Sequence, residues 1–402
     1  MVKEMKHVLI FSHGLELGGA ERALIGLLHA LDYDRVQVDL FLMRHSGELM
    51  DQLPPQVNLL REKPQYASLA VPFSTVLKKG QLGVGLGRFL GKLAARRAER
   101  RLGITRDSAV GLEYSHKYTR MFMPPVGERE YDLAVSFLTP HYFVAEKVRA
   151  KKKIAWIHTD YTKIAIDRES ELAMWSCYDH IASISDTVSD CFCRVFPELR
   201  EKLVLIENIL PSALIRQSAQ GSCPADFPKD GSIRLLSIGR YCEAKNFDNV
   251  PFICRRIREL GLDIKWYLIG FGGDEALIRQ KIKEAGMEDY VLMLGKREDP
   301  YPYIAHCDLY VQPSRYEGNS VTVHEAQILE KPVVITHYAT SSSQLTDGID
   351  GIIVPMDNAG CAAGIAELLR NPRQMQFLSE NCRKGDYTNT CQAEKLIELL
   401  EC

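Results

Sequence analysis

Residues just after predicted strands carry the clearest chemistry in this chain. Ser237-Ile238-Gly239-Arg240-Tyr241-Cys242-Glu243-Ala244-Lys245 sets a guanidinium and an ammonium five residues apart beyond an apolar run. Such a pair suits a diphosphate, although two solvated surface cations have the same pattern. Further on, seven residues separate Glu317 from Glu325 in Pro313-Ser314-Arg315-Tyr316-Glu317-Gly318-Asn319-Ser320-Val321-Thr322-Val323-His324-Glu325. Gly318 to Ser320 fall at the expected start of a helix, where backbone N–H groups hold phosphate, while a carboxylate accepts hydrogen bonds from sugar hydroxyls. Gly18 and Gly19, followed by Ala20-Glu21-Arg22, open another helix in the same way, and a tight turn explains them equally well. Their spacing is not GxGxxG, which disfavours a nicotinamide-type loop. Gly270 and Gly272 follow a further strand and bring backbone close to a ligand or simply make a turn. His158 ends a strand in Trp156-Ile157-His158, where a structural role is the commoner use of a lone histidine.

The elements that must position these groups alternate from end to end. β-Branched runs are predicted at His7–Ser12, Val36–Met43, Asp132–Leu138, Lys153–Ile157, His180–Ser185 and Leu203–Glu207. The second half repeats the rhythm at Ile233–Ile238, Asp263–Ile269, Tyr290–Leu294, Asp308–Gln312, Pro332–Ile335 and Gly351–Val354. Strands alternating with helical stretches build parallel sheets covered on both faces. With 402 residues the chain is long enough for two lobes, each about 200 residues. The expected class is α/β, with two doubly wound lobes: residues 1–211, a linker at 212–232 rich in proline, glycine and polar residues, and 233–385. Residues 386–402 hold a last helix with Ala393, Leu396, Leu399 and Leu400 on one stripe.

Composition narrows the function classes. A hydrophobic fraction of 46% and a charged fraction of 25% exclude disordered and collagen-like chains. Fifty basic against 52 acidic residues argue against a protein devoted to nucleic acid. There is no CxxC pair among the eleven cysteines, so they read as small hydrophobes in a reducing compartment. The start of the chain has too short an apolar core for a signal peptide, and a cytoplasmic location is expected.

In order and spacing these segments resemble a family-four retaining glycosyltransferase of the GT-B fold, across nearly the whole chain. The resemblance implies two Rossmann-like lobes facing across a cleft, an acceptor lobe first, a donor lobe second, and a last helix returning to the first lobe. It also implies transfer of a hexose, UDP-linked by preference, from a nucleotide-sugar donor to a lipid-linked saccharide acceptor in surface polysaccharide or glycolipid synthesis. Arg240 and Lys245 would hold the donor diphosphate, Glu317 would sit by the donor sugar, Glu325 would accept the ribose hydroxyls, and His158 would contact the donor sugar. Gly18, Gly19, Gly239, Gly270, Gly272, Gly318, Asn319, Ser320 and Val321 would line the donor site, with base contacts near Lys296. No metal and no further cofactor is expected, since cations and helix dipoles can meet the leaving-group charge. The chain departs from the family pattern in lacking the usual acidic residue in Thr340-Ser341-Ser342-Ser343-Gln344. A metal-using GT-A transferase would need an Asp-x-Asp at a strand end, and Asp32-Tyr33-Asp34 lies instead before a strand. An epimerase or phosphorylase of the same fold, and a non-catalytic nucleotide-sugar-binding protein, remain alternatives.

One region is charge-polarised. From Lys78 to Lys153 there are 17 lysines and arginines against 7 acids. Within it, residues 83–101 put Leu86, Phe89, Leu90 and Leu93 on one helical face beside Arg88, Lys92, Arg96, Arg97, Arg100 and Arg101. That composition suits a helix lying on an anionic membrane surface, and a solvated face over a packed lobe is the alternative. Peripheral association with the inner face of the cell membrane is therefore expected. Few aromatics interleave with the charge, which disfavours nucleic acid.

Overall fold

A computed structural model describes residues 5–104, 108–139 and 141–401. The chain divides into two compact units. One comprises the chain up to Ile209 together with the segment from Thr390 onward, and the other is Leu210–Asn389.

In the first unit, the described strands are β1 (Lys6–Ser12), β2 (Val36–Leu42), β3 (Asn58–Leu59), β4 (Tyr131–Ser136), β5 (Ala150–Ile157), β6 (His180–Ser183) and β7 (Leu203–Leu205). They form one parallel sheet in the order β3-β2-β1-β4-β5-β6-β7. The second unit holds β8 (Ile233–Ile238), β9 (Ile264–Ile269), β10 (Val291–Gly295), β11 (Leu309–Gln312), β12 (Val333–Thr336) and β13 (Ile352–Val354), in the order β10-β9-β8-β11-β12-β13. Six strands of each sheet thus follow the same doubly wound order, although the two sequences show no repeat. The expected α/β class with two Rossmann-like units is what the chain adopts.

The strands are apolar on both faces because helices cover both sides, as parallel sheets require. Leu9, Ile10 and Phe11 of β1 are wholly buried, and Phe11, Phe41, Tyr66 and Phe143 pack ring against ring. In the second unit Trp266 is buried and its indole N–H donates to Ser237 Oγ at 2.9 Å. Every predicted strand is present, with no end shifted by more than three residues and β8 unshifted at both ends. The strand not anticipated is β3, whose two residues are too few to show alternation. It is held at the sheet edge by Asn58 Nδ2 donating to Asp39 Oδ1 at 2.7 Å.

The 212–232 segment is part of the second unit. Ser212–Ser218 is helical, and Phe227 is buried against Tyr267 with ring centroids 4.3 Å apart. The prolines and glycines signalled turns here, while Ile215 and Phe227 anchor the segment to the core. The last helix, Gln392–Glu401, packs on the first unit, where Arg35 grips Glu394 at 2.7 and 2.9 Å and Lys395 donates to Leu205 O at 2.8 Å. Its buried residues include Ala393 and Leu396 as expected, and also Ile397.

The Leu82–Leu102 helix packs on the Val110–Thr119 helix through small residues. A Cβ added at Gly87 would stand 2.8 Å from Thr119 Cα, and one at Gly91 would stand 2.7 Å from Tyr114 O, so the backbones meet directly there. With glycines inward, the apolar residues of the opposite face stay in solvent: Leu86, Phe89, Leu90 and Leu93 are 51, 52, 40 and 39% exposed. Lys92, Arg96, Arg97 and Arg100 are exposed beside them. Arg88 departs from the expectation for this face. Its guanidinium turns inward and donates to Ser68 O at 2.9 Å and Val71 O at 2.6 Å, satisfying carbonyls that end a preceding turn. Arg101 pairs with the buried Asp167 at 2.8 Å and is likewise committed. No described helix is long and apolar enough to cross a membrane.

Candidate functional site

Where strand order reverses in a doubly wound sheet, the loops leaving the two adjacent strands part and leave a crevice beyond their carboxyl ends. In the second unit that point lies between β8 and β11, and it gathers most of the second-unit residues singled out above.

The loop after β8 is tied to both neighbours. On one side, Gly239 N–H donates to Ile269 O at 3.0 Å and Tyr241 N–H to Phe271 O at 2.8 Å. The approach is so close that a Cβ at Gly270 would lie 1.9 Å from Gly239 O, and one at Gly272 would lie 2.2 Å from Tyr241 O. Those two glycines thus serve the loop-to-loop contact, and both have positive φ. On the other side, Asn246, at φ 60°, donates through Nδ2 to Pro313 O at 2.9 Å, and Arg315 N–H donates to Ala244 O at 2.8 Å. Asparagine tolerates that left-handed backbone better than other residues with a side chain.

These ties bring Lys245 and Glu317 together across the switch point, with Nζ 2.5 Å from Oε1. Ser314 Oγ at 2.6 Å and Gln312 Nε2 at 3.2 Å donate to the same oxygen, while Oε2 has no partner among the described residues. Thr340 Oγ1 holds the Glu317 carbonyl at 3.0 Å. The Lys245 stem lies over Gly239, where a Cβ would come within 3.2 Å of it. Arg240 is exposed and has no hydrogen-bond or ion-pair partner among the described residues. Lys245 and Glu317 compensate one another, while the Arg240 guanidinium is left without an ion pair among the described residues. Across the next strand, the Lys296 ammonium sits over the Phe271 ring at 5.2 Å from its centroid.

The Val321–Ile328 helix starts at this edge with Ser320 as its cap. The Ser320 N–H, expected to face a phosphate, is instead taken by Gln344 Oε1 at 2.5 Å. Glu325 also differs from expectation: it is 0% exposed and accepts from Tyr301 OH at 3.0 Å, because its turn of the helix faces the core. Sequence reasoning quoted Ser314 and the 340–344 segment for the resemblance but gave no role to them, to Asn246 and Gln312, or to Arg315, which grips Asp248 at 3.0 and 2.7 Å. Only Asn246, a turn-forming residue after a strand, carried a local signal.

In the first unit, Gly18 caps the Gly19–Ala30 helix in an extended conformation. The Glu21 carboxylate lies 2.0 Å from where a Gly18 Cβ would stand, so an acid of the chain itself already faces this helix start. His158 follows β5, with Nε2 2.9 Å from Phe137 O and its ring 4.7 Å from that of Phe137. A carbonyl only accepts, so Nε2 carries the proton and Nδ1 presents the lone pair. Burial lowers the His158 pKa to about 4, keeping the ring neutral at neutral pH.

Comparisons with known proteins bear on the second unit most directly. Residues 232–371 match the family described as Glycosyl transferases group 1. Over 125 residues the chain is 31% identical to the N-acetylgalactosamine-N,N'-diacetylbacillosaminyl-diphospho-undecaprenol 4-alpha-N-acetylgalactosaminyltransferase of Campylobacter jejuni, covering 31% of this chain and 33% of that protein. It is 26% identical to the amylovoran biosynthesis glycosyltransferase AmsK of Erwinia amylovora over 141 residues, 33% of this chain and 35% of that one. The chain thus spans about a third of the length of these curated relatives. Among solved structures, Anabaena Alr3699/HepE in complex with UDP-glucose superposes with a TM-score of 0.67 at 15% identity, covering 98% of this chain and 99% of that one. Staphylococcus aureus TarM, in a complex containing UDP, superposes with a TM-score of 0.68 at 13% identity over 99% of this chain and 100% of that one. At these identities the likeness concerns the fold.

Proposed function

We propose, from the premise that residues 232–371 are a Glycosyl transferases group 1 domain, that the protein is a retaining glycosyltransferase moving a hexose from a nucleotide-diphosphate sugar, UDP-linked by preference, to a lipid-linked saccharide. The observation that carries this reading is the charge arrangement at the β8–β11 switch point: the unpaired Arg240 beside the Lys245–Glu317 pair. Cleavage of the sugar–phosphate bond builds negative charge on the departing diphosphate, and Arg240 and Lys245 would meet it. Glu317, its Oε1 engaged, offers Oε2 to a sugar hydroxyl. The Campylobacter relative is named for a diphospho-undecaprenol acceptor, and the Anabaena neighbour was solved with UDP-glucose; both support the donor and acceptor classes chosen here.

Thermal shifts measured with UDP, GDP and ADP sugars test the donor, and release of nucleoside diphosphate on addition of a polyprenyl-diphosphate saccharide tests transfer. A shift with UDP sugars and acceptor-dependent release are expected. Binding with no release in the presence of any acceptor would identify a binding protein, and a changed sugar without acceptor an epimerase.

The exposed stripe of Leu86, Phe89, Leu90 and Leu93, flanked by Lys92, Arg96, Arg97 and Arg100, is proposed to rest on an anionic membrane surface. Each cation near such a surface is worth about 1 kcal/mol. Changing Arg96, Arg97 and Arg100 to glutamine should therefore weaken sedimentation with phosphatidylglycerol vesicles on the order of 10²-fold. Unchanged sedimentation of the triple variant refutes the membrane assignment.

A further inference from the structure

The Ser320 peptide is held by a side chain 24 residues away at both of its polar groups. Gln344 Oε1 accepts from Ser320 N–H at 2.5 Å, and Gln344 Nε2 donates to Ser320 O at 3.2 Å. Since an N–H only donates, the orientation of the Gln344 amide follows, and its nitrogen must also be the group 3.0 Å from His324 Nε2. The same ring nitrogen lies 3.1 Å from Asn319 Oδ1, so Nε2 is flanked by an amide donor on one side and an amide acceptor on the other.

Gln327 holds the other side of the ring. Gln327 Nε2 donates to Asp350 O at 3.2 Å, which turns Gln327 Oε1 toward His324 Nδ1 at 3.0 Å, where it accepts. The contacts are continuous from Ser320 through Gln344, His324 and Gln327 to the Asp350 carbonyl, with Asn319 joining at the imidazole. Gln344 is 4% exposed, His324 9% and Gln327 0%, so water does not compete along most of the path.

We propose that Gln344 is a positioning residue of the donor site: by clamping the backbone N–H and C=O of Ser320 together, it fixes the 317–320 loop in the conformation that meets the donor. The inference rests on the reading of that loop as donor-binding. It also gives a reason for a glutamine in a segment where the family pattern has an acid. A carboxylate at 344 still accepts from Ser320 N–H, but it donates neither to Ser320 O nor to His324 Nε2.

Hydrogen exchange by mass spectrometry, on the full chain without nucleotide, is compared for wild type, Gln344→Ala and Gln344→Glu, alongside calorimetry with UDP. Exchange in peptide 316–322 is expected to rise at least 10-fold in Gln344→Ala and by less in Gln344→Glu, with Tm held within a few degrees. UDP affinity should fall about 10-fold or more in Gln344→Ala, with the isosteric variant between it and wild type, and donor KM should rise more than kcat falls. Exchange unchanged in Gln344→Ala overturns the clamp. Faster exchange with undiminished UDP affinity overturns the positioning role while leaving donor binding intact. Absence of UDP, GDP and ADP binding by the wild type refutes the donor-site reading, and the positioning role with it.

Discussion

Arg240→Ala lowers turnover by about 10²- to 10³-fold while leaving the melting temperature within a degree or two. A fixed cation aimed at the developing leaving-group charge is typically worth that factor. Because the Arg240 guanidinium is exposed and has no partner among the described residues, its removal breaks nothing in the fold. Lys245→Ala should lose activity to a similar degree and differ in stability. The Glu317 side chain is 9% exposed and shares a 2.5 Å contact with Lys245, so the variant strands a largely buried carboxylate at a cost of up to about 3 kcal/mol. Steady-state kinetics with scanning calorimetry on the two variants separates the effects. Turnover within threefold of wild type for the Arg240 variant would sink the assignment of the leaving-group site.

Acid destabilises the protein well above the usual carboxylate range. Burial lowers His141 to about 3, and His13, His158 and His324 to about 4. Below pH 6.5 the unfolded chain takes up protons that these native imidazoles refuse, so stability falls as pH drops from 6.5 toward 4 and is fully present above 6.5. At pH 5 each imidazole costs about 2 kcal/mol, at about 1.4 kcal/mol per pH unit. Glu171 works in the opposite direction. Burial raises its carboxyl to about 7, so the native state gains protons between pH 7 and 4.5 and returns about 2–3 kcal/mol at pH 5. With His13, His116, His141 and His158 against Glu171, the first unit loses stability on going from pH 7.5 to 5. The second unit, with His324, loses about 2 kcal/mol. Calorimetry at the two pH values checks this, and a melting temperature that holds or rises at pH 5 would overturn it. His141→Gln should flatten the slope: His141 Nδ1 meets Ser136 Oγ at 2.8 Å, and an amide keeps that bond without titrating.

The amino-acid order alone determined the alternation of strands and helices, two doubly wound units, and the cationic and acidic residues at the strand ends of the second. Those features repeat every two or 3.6 residues, or lie within a single turn, so a short stretch specifies them. The outward apolar face of the 82–102 helix was legible for the same reason. Pairing was not. Lys245 meets Glu317 72 residues away and Arg315 meets Asp248 because β8 and β11 lie side by side where the strand order reverses, and Gln344 meets Ser320 because β12 lies on the other side of β11. The three-dimensional structure likewise turned Arg88 inward to two carbonyls, sealed Glu325 against Tyr301 and took the Ser320 N–H away from the ligand. In each case a buried polar group needed a partner, and which partner stood within reach depended on how distant segments packed.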